Sequence, residues 1–312
     1  MDKKYLLGID IGGTKCAVIL GKAGNHSAEE KIIERTAFPT LVERGWKAVV
    51  EEIITTADRL LEKHSVSCGS ISGIGISCGG PLDSEKGIIM CPPNLPDWDG
   101  VPIVEIFEKH FGVKTRLQND ANACAVAEWK YGAGRGTENC IFLTFGTGMG
   151  AGLILNGRLY SGTNDMAGEV GHIRLAESGP VGYGKQGSFE GFCSGGGIAR
   201  LAELMSGNPS GGYTAKTLAE GMYSGDEFSA SVYRKCAEKL GAGLSVLIDI
   251  LNPEVIVIGS IYARNREFFD SIILPVIQKE ALGFSASVCK IVPAQLGEQI
   301  GDFAALGLAE ME

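Results

Sequence analysis

Two glycine turns, each set between short apolar runs, constrain this chain most. Tyr5 to Ile9 is apolar, Asp10-Ile11-Gly12-Gly13-Thr14-Lys15 interrupts it, and Cys16 to Leu20 resumes it. Far downstream the pattern returns as Cys140 to Phe145, then Gly146-Thr147-Gly148-Met149-Gly150, then Ala151 to Leu155. Apolar runs of this length around a glycine turn read as β-hairpins. Helical periodicity lies between and after them. Val49, Val50, Ile53, Ile54, Ala57, Leu60 and Leu61 follow the i, i+3, i+4, i+7 spacing of an amphipathic helix. Strands alternating with helices predict an α/β fold, and the repeated hairpin points to two related halves. A chain of 312 residues is long enough for two α/β domains.

The remaining segments fit that plan. Ile71 to Ser77 reads as a strand stopped by Gly79-Gly80-Pro81, and Cys91 to Pro96 as a loop. Val101 to Phe111 predicts a helix and Val113 to Leu117 a strand. Asn119-Asp120 precede an alanine-rich helix from Ala121 to Tyr131, so one of the two is its N-cap. Gly162 to Gly197 is a glycine-rich excursion with little periodicity, of the kind that more often carries function than not. Phe228 to Leu251 marks a long helix and Val255 to Ile258 a buried strand ending at Gly259. A helix from about Arg266 to Glu280, a strand near Ile291 and a helix from about Gly297 to Glu310 complete the chain.

Glycine lets a backbone approach a phosphate closely, so that several N–H groups can point into one concavity. The first turn adds the Thr14 hydroxyl, the Lys15 ammonium and the Asp10 carboxylate, which suits magnesium held through water. The second offers amides without a cation. A Walker A loop fails, because Gly13-Thr14-Lys15 lacks its spacing. Gly146-x-Gly148-x-x-Ala151 fits the loose dinucleotide fingerprint, but a strand follows it where that fingerprint requires a helix. A protein-kinase loop would need downstream partners that are not in the sequence. Either turn alone is as readily a tight hairpin without ligand; two of them, one bearing Asp, Thr and Lys, favour phosphate clamping.

The formal net charge of -9 and the lack of a basic run argue against a nucleic-acid partner. Nine cysteines without CxxC pairs exclude a complete disulfide framework. Cys68, Cys78, Cys124, Cys140 and Cys236 sit among apolar neighbours as reduced thiols would in a cytosol. The N-terminal apolar stretch before Asp10 is too short for a signal peptide. No apolar run approaches the roughly 20 residues of a membrane span, so a cytoplasmic protein with no membrane partner is expected.

Transfer of a phosphoryl group to a hydroxyl needs a carboxylate to accept the proton. Asp120 is the candidate, with Asn119 beside it to bond a neighbouring hydroxyl; on spacing alone, a helix N-cap is the better account of Asp120. Glu169 and His172 suit hydroxyl binding or simply an exposed loop. His172 has only Cys193 near it in sequence, too few ligands for zinc.

Taken in order, Asp10 to Lys15, Gly79-Gly80-Pro81, Pro93-Asn94-Leu95, Asn119-Asp120-Ala121-Asn122, Gly146 to Gly150 and Ala167-Gly168-Glu169-Val170-Gly171-His172 resemble the ROK family of repressors, open reading frames and sugar kinases. Ile256-Val257-Ile258-Gly259-Ser260 fits too. The resemblance implies the actin-like ATPase (ribonuclease H-like) fold, with two α/β domains flanking a cleft. The smaller domain is expected to span 1–119 plus 298–312, and the larger 120–297. It implies an ATP-dependent kinase for a hexose or N-acetylhexosamine, glucokinase-like and acting at the 6-hydroxyl, with Asp120 as general base. Gly80, Asn94, Asn119, Glu169, His172 and Glu190 are then sugar contacts. Asp10, Gly12, Gly13, Thr14, Lys15, Gly146, Thr147 and Gly148 hold the ATP phosphates and Mg2+, and Gly259 lies near the adenosine. A homodimer is expected, as for many relatives.

One stretch departs from the family. Its zinc motif, Cys-x-Cys-Gly-x-x-Gly-Cys-x-Glu, is replaced by Val181-Gly182-Tyr183-Gly184-Lys185-Gln186-Gly187-Ser188-Phe189-Glu190. Three of four ligands are missing, so no structural zinc is expected, and packing of Tyr183 and Phe189 is the expected substitute. The rival readings are a non-catalytic sugar sensor, a transcriptional regulator lacking its DNA-binding segment, and a filament-forming actin relative. The onset of the phosphate turn at Asp10 and the presence of Asp120 and Lys15 argue against the first two.

Overall fold

The first glycine turn closes a hairpin: β1 (Tyr5–Ile11) and β2 (Lys15–Lys22) run antiparallel, with Ile11 opposite Cys16. The structure is a computed structural model describing residues 4–24 and 27–311. Met1 to Lys3, part of the stretch read for a signal peptide, lie outside the described residues. The chain divides into two units, Met1–Gly136 with Ser161–Met166 and Gln295–Glu312, and Thr137–Tyr160 with Ala167–Ala294.

In the first unit, α1 (Ala28–Lys31) leads into β3 (Ile32–Pro39), followed by α2 (Gly45–Lys63) and β4 (Ile71–Cys78). A small three-stranded sheet comprises β5 (Leu82–Asp83), β6 (Ile88–Met90) and β7 (Asp99–Val101). Then come α3 (Ile103–Phe111), β8 (Thr115–Asn119) and α4 (Asp120–Tyr131). The main sheet has the order β3-β2-β1-β4-β8, with β4 parallel to both β1 and β8. Strand alternation divides the apolar residues between its faces. Leu7, Ile9, Val18, Leu20, Ile74 and Ile76 face Val49, Ile53 and Leu60 of α2 and Phe107 of α3. On the other face Leu6, Ala17 and Ile19 meet Ala305, Leu306 and Ala309 of the C-terminal helix. That helix lies so close that a Cβ on Gly75 would stand 2.0 Å from Ala305 O, so β4 needs glycine there.

The second unit repeats the arrangement. It holds β9 (Cys140–Phe145), β10 (Met149–Leu155), β11 (Arg158–Leu159) and the small hairpin β12 (Val181–Gly182) with β13 (Lys185–Gln186). The helices α5 (Phe189–Phe192), α6 (Gly195–Ser206), α7 (Ala215–Tyr223) and α8 (Glu227–Leu251) follow. After these come β14 (Val255–Ile258), α9 (Ile261–Arg264), α10 (Arg266–Glu280), α11 (Gly283–Val288) and β15 (Lys290–Pro293). The main sheet, β11-β10-β9-β14-β15, again has an antiparallel hairpin whose first strand pairs in parallel with the next. Finally α12 (Ile300–Ala309) returns to the first unit.

The chain divides at other bounds than expected, and two elements went unread. The boundary expected at 119/120 lies instead after α4, and 161–166 and 295–297 also join the first unit. The reason is that α4 packs on α12, where a Cβ on Gly307 would touch Val126 at 3.1 Å. β3 carries no apolar run because it is a sheet edge, half exposed along its length. α7, also unread, is set by a capping box between Thr214 and Thr217 rather than by a strong apolar stripe. Among the described residues no disulfide is formed. Among the described residues no helix is long and apolar enough to cross a membrane.

Candidate active site

In the first unit three parallel strands bring the candidate residues to one edge of the sheet. Ile11 pairs with Cys78 and Cys78 with Asn119, so Asp10, the Gly79-Gly80 turn and Asn119-Asp120 stand at neighbouring C-terminal strand ends. Adjacent strands are about 4.8 Å apart. Ligands of α/β sheets bind at such ends.

The Gly12 turn is tightly fixed. Its ends are closed by the Gly12 N–H donating to Lys15 O at 3.1 Å. The Thr40 hydroxyl donates to Gly12 O at 2.5 Å, and the Thr40 N–H to Thr14 O at 3.0 Å. A Cβ on Gly13 would lie 2.4 Å from Asn94 O, so this turn sits directly on the Asn94 backbone. The Asn94 side chain reaches the other way, to within 3.2 Å of a Cβ placed on Gly79, and a Cβ on Gly80 would be 4.0 Å from Asn119 Cβ. Gly13, Gly79, Gly80, Asn94 and Asn119 are therefore gathered.

Asn119 is the helix cap: its Oδ1 accepts from the Asn122 N–H at 2.8 Å. Asp120 is thereby released from capping; its carboxylate accepts from the adjacent Ala121 N–H at 2.9 Å. The Asp120 side chain keeps access to solvent, yet its surroundings strip enough water to raise its pKa, with backbone hydrogen bonds opposing. Asp10 is raised further, to about 6, first by desolvation and then by the neighbouring Asp302, against the pull of Lys15 and Arg35. Arg35 instead binds Asp302, Nε to Oδ1, at 2.8 Å.

The second unit gathers its own set. The Gly146 N–H closes the turn on Gly148 O at 3.2 Å. The Met149 N–H donates to Glu190 Oε2 at 3.1 Å, and a Cβ on Gly148 would be 3.0 Å from that oxygen. Gly168 and Gly171 hold the Glu169–His172 segment on β10: a Cβ on Gly168 would stand 2.0 Å from Ala151 O, and one on Gly171 2.3 Å from Met149 O. Glu169 and His172 are exposed and Glu190 is half-buried.

The stretch without cysteines is a hairpin held by polar bonds. Lys185 Nζ donates to His172 O at 2.6 Å, Arg174 Nη1 to Gln186 O at 2.6 Å, and the Ser188 hydroxyl to Gly182 O at 3.2 Å while capping α5. Phe189 is fully buried, as its expected packing role requires. Tyr183 is not: it is 75% exposed, its ring edge-on to His172 at 5.5 Å, because the turn points it outward.

A cavity of about 860 Å³ in the second unit is lined by Gly146 and Thr147 together with Gly195, Gly196, Tyr213, Tyr223, Ser260 and Arg264, among others. Gly259 stands just before it, its N–H bonded to Leu143 O at 3.0 Å at the end of β14. Gly195 and Gly196 open α6, where the Gly195 N–H donates to Gly146 O at 2.7 Å. A helix start offers amides to an anion. Sequence reading missed these two, although Ser194 before three glycines and the apolar Ile198, Leu201 and Ala202 is an N-cap signal. Tyr213, Tyr223 and Arg264 had no such signal.

Comparison with known proteins places this arrangement. The sequence profile of the ROK family matches residues 6–312. The glucokinase of Thermotoga maritima is 34% identical over 281 residues, covering 86% of this chain and 85% of that protein. The ROK hexokinase of Thermus thermophilus superposes with a TM-score of 0.83 at 29% identity, over 98% of this chain and 97% of that one. A ROK glucokinase from Streptomyces griseus, solved with glucose and AMPPNP, gives 0.72 at 27% identity over 98% and 99%. The fold is the two-domain actin-like ATPase fold of these neighbours. On the match along nearly its whole length, this chain belongs to the ROK family.

Proposed function

We propose that the protein transfers the γ-phosphoryl group of ATP to a hydroxyl, the 6-hydroxyl, of a hexose or N-acetylhexosamine, with Asp120 as general base. The observation that carries this reading is the division of labour at the start of α4: Asn119 caps the helix, and Asp120 keeps a free carboxylate at the strand ends that also bear Asp10 and the Gly12 turn. The glucokinase relatives support a sugar acceptor, and the nucleotide analogue in the Streptomyces griseus glucokinase supports ATP as donor.

The roles divide by chemistry. Asp120 accepts the proton as the hydroxyl attacks; its raised pKa makes it a better proton acceptor than an ordinary carboxylate. Asn94, Asn119, the Gly80 backbone, Glu169, His172 and Glu190 are the proposed partners of sugar hydroxyls. The turn from Gly12 to Lys15, with the Lys15 ammonium, and the turn from Gly146 to Gly148, with Thr147 between, hold phosphates through amides other than those of Gly12 and Gly146, which close the turns. The cavity beside Gly146, lined by Tyr213 and Tyr223 and close to Gly259, takes the adenosine.

Among the described residues no hydrogen bond to the Asp10 carboxylate is found, and it offers hard oxygen donors, which fits magnesium. Bound with ATP, the ion would neutralise charge on the phosphates. We also propose a cytoplasmic homodimer.

The test is ATP turnover against a panel of hexoses and N-acetylhexosamines, with Asp120→Ala alongside. The variant should lose phosphoryl transfer by about 10²-fold or more with sugar binding retained. Full activity in the variant would refute the base, and no sugar-stimulated turnover in the wild type would favour a sensor or regulator.

A further inference from the structure

Glu128 is a fully buried carboxylate with no place in the chemistry described so far. It lies eight residues after Asp120 on α4, just over two turns along. Its Oε1 accepts from the Gln295 N–H at 2.9 Å and the Leu296 N–H at 3.0 Å, and its Oε2 from the Ala133 N–H at 2.8 Å. Its main-chain oxygen accepts from Gly132 at 3.0 Å and Gly134 at 2.9 Å. A Cβ on Gly132 would stand 2.0 Å from Oε2, so glycine is required for the carboxylate to fit. One side chain thus joins α4, the 132–134 turn and the segment that leads into α12.

That junction matters because the helices it ties meet through small side chains as well as through Val126 of α4 and the Tyr131–Phe303 ring pair, centroids 5.6 Å apart. α4 carries Ala121, Ala123, Ala125 and Ala127, and α12 carries Gly301, Ala304, Ala305, Gly307 and Ala309. Small side chains let helices approach closely but form shallow ridges and grooves, which resist sliding weakly. Directional polar bonds then add to that packing in setting the axial register. Polar ties from α4 bracket α12: Glu128 grips the backbone ahead of it, and just past its end Glu310 accepts from the Tyr131 hydroxyl on Oε2 at 2.7 Å and from Lys130 Nζ on its main-chain oxygen at 3.3 Å. The leading end of α12 is the one beside Asp10, since a Cβ on Gly301 would lie 3.4 Å from Asp10 Oδ2.

We propose that Glu128 is a positioning residue for phosphoryl transfer, fixing the register of α4 against the lead-in to α12 and so the placement of Asp120 relative to Asp10. It touches neither sugar nor nucleotide. Three backbone donors compensate its burial, and truncation would leave all three unpaired. A slip of one residue along a helix is about 1.5 Å, and a misplacement of about 1 Å can cost 10²-fold in rate. The inference rests on the sugar-kinase reading above.

Three variants test it: Glu128→Gln, which keeps one accepting oxygen but turns an amide toward the Ala133 N–H; Gly132→Ala, which crowds the carboxylate without changing charge; and Glu128→Ala. kcat for sugar phosphorylation, dissociation constants for sugar and a non-hydrolysable ATP analogue, and melting temperature are measured on each. The expected result is a kcat lower by about tenfold or more in Glu128→Gln and Gly132→Ala, with both dissociation constants within about threefold of wild type. If Glu128→Ala does not fold, the other two carry the test. A lower melting temperature with kcat within about twofold of wild type would show a merely structural tie and overturn the proposal. A wild type that phosphorylates no sugar would instead overturn the kinase reading and this inference with it.

Discussion

The two glycine turns hold equivalent places in their sheets and differ in everything around them. The Gly12 turn is rigid and charged: Asp10 and Lys15 flank it, Thr40 locks it, and Gly13 rests on the Asn94 backbone. The Gly146 turn carries no lysine of its own and opens on a cavity with aromatic walls, and Gly148 faces the end of the Glu190 side chain. A repeated backbone motif thus supplies amides in both places, while tertiary neighbours decide what else each can hold.

Adding a methyl group to each turn is the sharpest way to break the comparison. Gly13→Ala drives Cβ against a backbone oxygen at 2.4 Å, which cannot yield without moving Asn94. We expect a destabilisation of about 1–3 kcal/mol and a clear rise in sugar KM. Gly148→Ala meets only Glu190 Oε2 at 3.0 Å, an atom that can swing aside, so its melting temperature should stay close to wild type. Equal losses of stability in the two variants would show that the turns are not held differently.

The charge difference predicts opposite responses of activity and stability to acid at the first turn. Asp10 has a folded pKa of about 6 against an ordinary 3.8, so the folded protein binds that proton more tightly than the unfolded chain. Its ionised form therefore costs stability above about pH 6, and the cost is relieved as the pH falls toward the ordinary value. The carboxylate proposed to hold the cation is lost over the same range. From about pH 7 to about pH 5, kcat/KM for ATP should fall while this contribution to stability improves. Asp10→Asn should abolish the stability gain; an unchanged pH–stability curve in the variant would mean another group titrates there.

The smallest effect concerns the second turn's neighbour. Ser260 has φ 52 and ψ -106, a conformation costly for any residue but glycine, and its hydroxyl accepts from Arg264 at 3.1 Å on the surface. Ser260→Gly should raise stability by about 1 kcal/mol after the loss of that bond, read as a higher melting temperature. A lower one would show that the Arg264 bond outweighs the strain.

Local pattern made much of this protein legible. The hairpins at Gly12 and Gly146, the helix around Val49 to Leu61, the long helix before β14 and the order of the motifs all follow from spacings of a few residues. Such spacings report helical or strand periodicity, which depends on near neighbours in the chain. The edge strand β3 and the capped helix α7 were lost because burial is weak in the one and the signal polar in the other.

The sequence by itself determined the α/β alternation, the glycine positions and the pairing of Asn119 with Asp120. Only tertiary structure decided which of those two caps the helix and which keeps a free carboxylate, where the chain passes from one unit to the next, and that Glu128 joins residues 133, 295 and 296. The physical reason is reach. A cap or a buried carboxylate takes its role from donors brought up by folding, and those at 295 and 296 lie more than half the chain away from residue 128.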